Sequence, residues 1–221
     1  NGAGKTTTIK MIVGLLRPSS GLVSVCGHDV ARFPREASHS LGYVPDEPYL
    51  YDKLTGREFL QFIADMYGLP PQVGLEAIRR EICNFELQNF VDDLSENYSH
   101  GMKQRLVFAA AMVHDPPVLV VDEPMVGLDP RSMRLVKDLL RSRAESGATV
   151  LMSTHTLSVA EEIAHRIAIV NHGRLRFLGT LEQLRAETKG QHSSLEDLYL
   201  QLTTPGPTPP APAESASDID P

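Results

Sequence analysis

The chain has 221 residues, enough for one large domain or two small ones, with 42% hydrophobic and 22% charged residues and a formal net charge of −7. It has no dense Lys/Arg stretch, which argues against a nucleic-acid surface, and no apolar run approaching the roughly 20 residues needed to span a bilayer. Its two cysteines, Cys26 and Cys83, are far apart and lack metal-ligand spacing, which points to a reducing compartment and argues against a disulfide scaffold.

The chain opens Asn1-Gly2-Ala3-Gly4-Lys5-Thr6, which reads as the last six positions of the phosphate-cradling loop G-x-x-x-x-G-K-[ST]. Backbone N–H groups from Gly2 to Thr6 would wrap phosphates, and the glycines allow close approach. Lys5 would neutralise the β- and γ-phosphates, and the Thr6 hydroxyl would bind Mg²⁺. Thr6 to Leu16 carries Ile9, Ile12, Val13 and Leu16 at helical spacing and stops at Arg17-Pro18-Ser19-Ser20-Gly21. Taken alone, these residues also fit a glycine-rich turn before an ordinary helix.

Leu22–Cys26 and Leu41–Val44 read as short strands. Thr55-Gly56-Arg57-Glu58 is a capping box, and the helix behind it would place Phe59, Phe62, Ile63 and Met66 on one face. A helical stretch follows from about Gly74 to Asn84, then a looser one to Asp93. Ser99 heads a long helical pattern through His114, and a serine and glycine at a helix start can hold an anion or simply cap the helix.

Val118–Val121 reads as a buried strand, and Asp122-Glu123 ends it where a sheet's carboxyl edge would face a ligand. There Asp122 would hold Mg²⁺ and Glu123 would act as general base on an attacking water. Asp129-Pro130 begins a helix that Gly147 closes. Strands at 148–152, 167–170 and 174–178 alternate with helices at 157–164, 180–187 and 194–203. Prolines at 205, 207, 209, 210 and 212 make 205–221 a disordered tail by composition. The alternation predicts an α/β fold with a mainly parallel sheet and helices on both faces. Residues 46–115 contain almost no strand signal and read as an inserted helical lobe.

Together these elements resemble the ATP-binding cassette (ABC) ATPases of membrane transporters. Ser99-His100-Gly101-Met102 resembles the signature motif, usually L-S-G-G-Q; Val118–Glu123 resembles Walker B with its catalytic glutamate; Gly127-Leu128-Asp129 resembles the D-loop; His155 stands where the family has its switch histidine. The order and spacing fit from Asn1 to about Thr203.

The resemblance implies a P-loop NTPase domain over 1–204 with a helical subdomain at about 46–115. It implies catalytic roles for Glu123, His155 and Asp129. ATP would be bound by Asn1, Gly2, Ala3, Gly4, Lys5, Thr6, Thr7, Ser99, His100 and Gly101, and Mg²⁺ by Thr6, Asp122 and Asp46. Two cassettes, identical or different, would sandwich two ATP molecules head to tail. Each nucleotide would lie between the Lys5 loop of one copy and the Ser99 helix of the other. Closure would pull on a transmembrane permease at the cytoplasmic face of the membrane. A cassette ATPase working on nucleic acid and a non-catalytic ATP-gated module are the competing readings.

The sequence departs from the family at two positions. Asp46, in Gly42-Tyr43-Val44-Pro45-Asp46-Glu47-Pro48, occupies the place of the Q-loop glutamine. His100 replaces the first signature glycine. Leu50–Glu58 and Ser194–Tyr199 resemble drug- and polysaccharide-export cassettes. The resemblance also implies that the sequence begins inside the phosphate loop, with the first glycine, the strand feeding it and an adenine-stacking aromatic lying upstream. The 221-residue piece alone is then expected to be poorly stable and to hydrolyse ATP weakly or not at all.

Overall fold

The computed structural model describes residues 2–187 and 194–203. Asn1 and the expected tail at 205–221 lie outside the described residues. The chain forms two compact units, one running through Ala164 and the other from His165 onward.

In the first unit the sheet is three parallel strands in the order β3 (Leu41–Val44), β4 (Val118–Asp122) and β5 (Thr149–Ser153). Tyr43 is level with Val120, Val120 with Leu151, and Asp122 with Ser153. The period-two alternation of β4 sorts its side chains between two cores. Val120 joins Ile9, Val25, Val30, Ala37 and Leu41 on one side. Leu119 and Val121 join the larger cluster on the other, with Phe108, Val136 and Leu140. Burial on both faces is why β4 is an unbroken apolar run. The first core is covered by α1 (Lys5–Ile12) and α2 (Pro34–His39), the second by α5 (His100–Met112) and α6 (Pro130–Glu145). Among the described residues β5 pairs with β4 alone, and Leu151 is 38% exposed. Where β3 crosses α5 there is room only for glycine: a β-carbon on Gly42 would meet the Ala111 carbonyl oxygen at 2.5 Å.

The stretch 46–115 holds α3 (Gly56–Met66), α4 (Pro71–Asn84) and α5. The capping box forms: the Glu58 N–H donates to Thr55 Oγ1 at 3.2 Å, and the Thr55 N–H to Glu58 Oε2 at 2.8 Å. Between helices, Leu60, Ile78, Phe85, Leu87, Leu106 and Phe108 are almost wholly buried. After β5 comes α7 (Leu157–Ile163). The second unit holds the antiparallel pair β6 (Ile167–Asn171) and β7 (Arg174–Gly179), with α8 (Leu181–Glu187) and α9 (Leu195–Thr203).

Several local expectations differ from the structure. α1 ends at Ile12, so Leu16 lies beyond it and is exposed. The buried stripe of α3 is Phe59, Leu60 and Ala64; Phe62 and Met66 face outward. Phe85–Asp93 is a run of turns, because Glu86 takes a left-handed conformation (φ 52°) that no helix continues through. The predicted strand at 22–26 is two residues, β1 (Ser24–Val25), paired with an unforeseen β2 (His28–Asp29).

Candidate functional site

The loop expected to cradle phosphate leads into α1 through Gly4, whose left-handed backbone (φ 99°) any β-carbon would strain. No side chain caps α1, and its first turn holds no acid, so the amides following Gly4 and the positive helix end stand open to an anion. Thr8 seals the turn by donating from Oγ1 to the Gly4 carbonyl at 2.9 Å. Ile9, buried with Val120, seats α1 against β4. Gly2, Ala3, Lys5, Thr6 and Thr7 are therefore all placed on or beside one helix start.

β4 delivers Asp122, wholly buried, to the carboxyl edge of the sheet. The Ser153 hydroxyl donates to Asp122 Oδ1 and accepts from the Glu123 N–H at 3.1 Å. Asp122 Oδ2 is buried with no hydrogen-bond partner among the described residues. A carboxylate oxygen left bare in the interior fits a cation or its bound water, the partner Mg²⁺ would supply. Among the described residues no group of three or more His, Cys, Asp or Glu could hold a metal unaided. Mg²⁺ commonly takes one or two carboxylates and completes its shell with phosphate oxygens and water, so the donor set remains suitable.

Glu123 and His155 meet directly. Glu123 Oε2 accepts from the His155 N–H at 3.1 Å and from its Nδ1 at 2.8 Å. That contact puts the proton on Nδ1 and leaves Nε2 free to face a ligand. Asp46 accepts the N–H of Glu47 on Oδ1 at 3.0 Å. Burial pushes the Tyr43 hydroxyl pKa up, and the negative charges of Asp122 and Asp46 add to that, so both carboxylates act on one side chain of β3.

A second group forms at the start of α5. Ser99 caps it, accepting the Met102 N–H on Oγ at 3.3 Å. The His100 ring lies against Gly127, and Gly101 faces Asp129: a β-carbon on Gly101 would be 3.8 Å from Asp129 Oδ2. Asp129 caps α6, accepting from the N–H groups of Arg131 and Ser132 and from the Ser132 hydroxyl at 2.6 Å. The Ser132 hydroxyl and amide are the main reason its carboxyl is held below the usual range.

Hydrogen bonds through Ser153 and His155 tie Asp122, Glu123 and His155 into one set, while the closeness of Gly101 to Asp129 and the contact of His100 with the turn 123–129 bring the start of α5 to the start of α6. Ser153 belongs to no sequence motif. Its signal was a hydroxyl ending a strand, but only the register of β5 on β4 puts it beside Asp122.

The ABC transporter family model matches residues 1–126. The ABC-type transporter ATP-binding protein EcsA of Bacillus subtilis is 34% identical over 203 residues, which cover 92% of this chain and 82% of EcsA. Nod factor export ATP-binding protein I of Burkholderia lata is 39% identical over 174 residues, covering 79% of this chain and 57% of that protein. Other relatives are much longer: the match covers 10% of ATP-binding cassette sub-family A member 7 of Rattus norvegicus. A solved ATP-binding subunit of an ABC transporter superposes with a TM-score of 0.86 at 34% identity, over 91% of this chain and 84% of that one.

Proposed function

The chain belongs to the ABC transporter family, as one of its ATP-binding proteins, and on that premise we propose that it hydrolyses ATP to drive export through a membrane permease. The observation that carries this reading is the bare, buried Oδ2 of Asp122 beside the Glu123–His155 pair. ATP would sit with its phosphates on the amides of Gly2–Thr7, and Lys5 would offset the β- and γ-phosphate charge. Mg²⁺, held by Thr6 and Asp122 with Asp46 nearby, would neutralise charge developing on the transferred phosphoryl group. Glu123 would accept the proton of the attacking water. His155 would hold the Glu123 carboxylate through Nδ1–H and, when Nε2 also carries a proton, donate from it to the γ-phosphate. Ser99, Gly101 and the backbone N–H of His100 would receive the nucleotide of a second cassette, with Asp129 between the two sites.

Residues 1–204 would form the ATPase domain, with 46–115 as its helical subdomain. Through that lobe the subunit would dock on its permease at the cytoplasmic face. Tyr49, Tyr51 and Phe62 are exposed there and touch edge to face, with Tyr51 5.8 Å from Phe62 and 6.0 Å from Tyr49. The segment 205–221 would be an appended tail. The similarity to a protein named for Nod factor export supports export as the direction.

The test compares full-length wild type with Glu123→Gln. The expected result is phosphate release by wild type only, with an ATP-dependent dimer accumulating in the variant. A wild type that binds ATP without any turnover would leave a non-catalytic, ATP-gated module.

A further inference from the structure

We propose that His100 is a positioning residue: its imidazole latches the start of α5 to the turn that carries Glu123 at one end and Asp129 at the other. The inference rests on the function proposed above. A carbonyl oxygen only accepts, so the 3.2 Å contact between His100 Nε2 and the Val126 oxygen fixes a donated N–H from the ring. The same ring lies against the next residue. A β-carbon on Gly127 would lie 3.0 Å from His100 Cδ2 and 3.1 Å from Nε2. Gly127 is left-handed (φ 72°), so a side chain there would be strained by the backbone as well as blocked by the ring.

The turn that His100 grips is short, anchored by the buried side chains of Met125 and Leu128 on either side of an exposed middle. Within it the Val126 N–H reaches the Glu123 oxygen at 3.3 Å, and the Leu128 N–H reaches the Met125 oxygen at 3.4 Å, both long contacts. Val126 and Gly127 are exposed, so apolar packing does not fix the middle of the turn. Its two ends carry the groups that matter, Glu123 against His155 and Asp129 capping α6. A side chain on α5 that holds the middle therefore constrains both. Glycine at position 100 would provide neither the donor nor the ring. With histidine there, an anion drawn to the Ser99 end of α5 moves against a turn already fastened to that end. The motion of one half-site reaches Glu123 within the same chain.

The test uses full-length protein with His100→Gly, His100→Phe and His100→Gln, and it has two readouts. Phenylalanine keeps a ring and loses the donor; glutamine keeps a donor and loses the ring. In nucleotide-free protein, deuterium exchange at amides 125–128 is expected to rise about 3-fold or more for Gly and Phe and to stay near wild type for Gln. In ATP hydrolysis, kcat is expected to fall about 3- to 30-fold for Gly and Phe, with KM for ATP within about 2-fold, and to recover with Gln. Unchanged exchange in His100→Phe overturns the latch. So does a raised KM at constant kcat, which would make the imidazole a nucleotide contact. If wild type shows no turnover while the exchange pattern appears as expected, the latch stands and the proposed function fails.

Discussion

Oε2 of Glu123 accepts two hydrogen bonds from a single residue, the backbone N–H and Nδ1 of His155, at 3.1 and 2.8 Å. The histidine is aimed by the carboxylate it serves, so each group sets the orientation of the other. Replacing His155 by Ala should lower kcat by about 10²-fold or more, because on the proposed function the general base would lose its orienting partner. Adding Glu123→Gln to His155→Ala should cost far less than the two single losses combined, as expected of groups acting as one unit. Steady-state phosphate release by the two single variants and the double variant reads this directly. Additive losses would show that the groups act independently.

Ser153 is the support on which this set rests. Its hydroxyl is the hydrogen-bond donor to buried Asp122 and the acceptor for the Glu123 amide. Ser153→Ala removes both at once and leaves a buried carboxylate less well satisfied. A loss of about 1–3 kcal/mol is expected, with Tm falling by about 2–4 °C per kcal/mol for a chain of this size. On the proposed function Ser153 would orient a metal ligand, so Mg²⁺-dependent ATP affinity should weaken by about 10- to 100-fold. Calorimetry and nucleotide titration test the two halves separately.

His114 makes stability depend on pH. Nε2 donates to the Leu41 oxygen at 3.0 Å, the ring stacks on Tyr67 at 3.6 Å, and Nδ1 is buried without a partner among the described residues. Burial is the main cause that lowers its pKa from 6.5 to about 4; His39 lowers it further, while the Leu41 contact and Asp115 oppose the shift. Below pH 6.5 the unfolded chain takes up a proton that the folded chain refuses until about pH 4. Stability is therefore full above 6.5 and declines as pH falls towards 4. Allowing for residual solvent screening, the loss between pH 7 and 5 should be about 1–2 kcal/mol. His114→Gln should flatten that slope in urea titrations at each pH; an equal slope in both proteins would disprove the assignment.

Gly42→Ala tests the packing of β3 on α5. The added methyl would stand 2.5 Å from the Ala111 oxygen, 2.9 Å from Pro116 Cγ and 3.1 Å from Leu119 Cδ1. Backbone and a proline ring yield little, so a loss of about 1–3 kcal/mol or more is expected. The midpoint of urea unfolding measures it, and a midpoint equal to wild type would mean that β3 stands off from α5.

Much of this fold can be read from the sequence because local and global signals agree. The unbroken apolar run of β4, the Thr55 capping box and the Asp129-Pro130 start of α6 each declare one structure, and each forms. The β1–β2 pair could not be read the same way. Two residues a side give no periodicity, and the turn depends on Cys26 at φ 49° and Gly27 at φ 85°. Phe85, Leu87, Phe90 and Val91 are all buried, as a helix would bury them, but it is a series of turns that carries them inward. In the site, residues with motif spacing were visible. Ser153 beside Asp122 and the His100 contact with Val126 depend on strand register and loop closure, which no local pattern encodes.

Glu123 holds a left-handed backbone at φ 47°, a conformation that costs a residue with a β-carbon about 1 kcal/mol or more. Glycine at that position would relax the turn and delete the carboxylate in a single change. Selection for heat resistance alone should then work against the carboxylate on which the proposed function depends, and a laboratory screen run without an activity requirement is expected to discard this acid early.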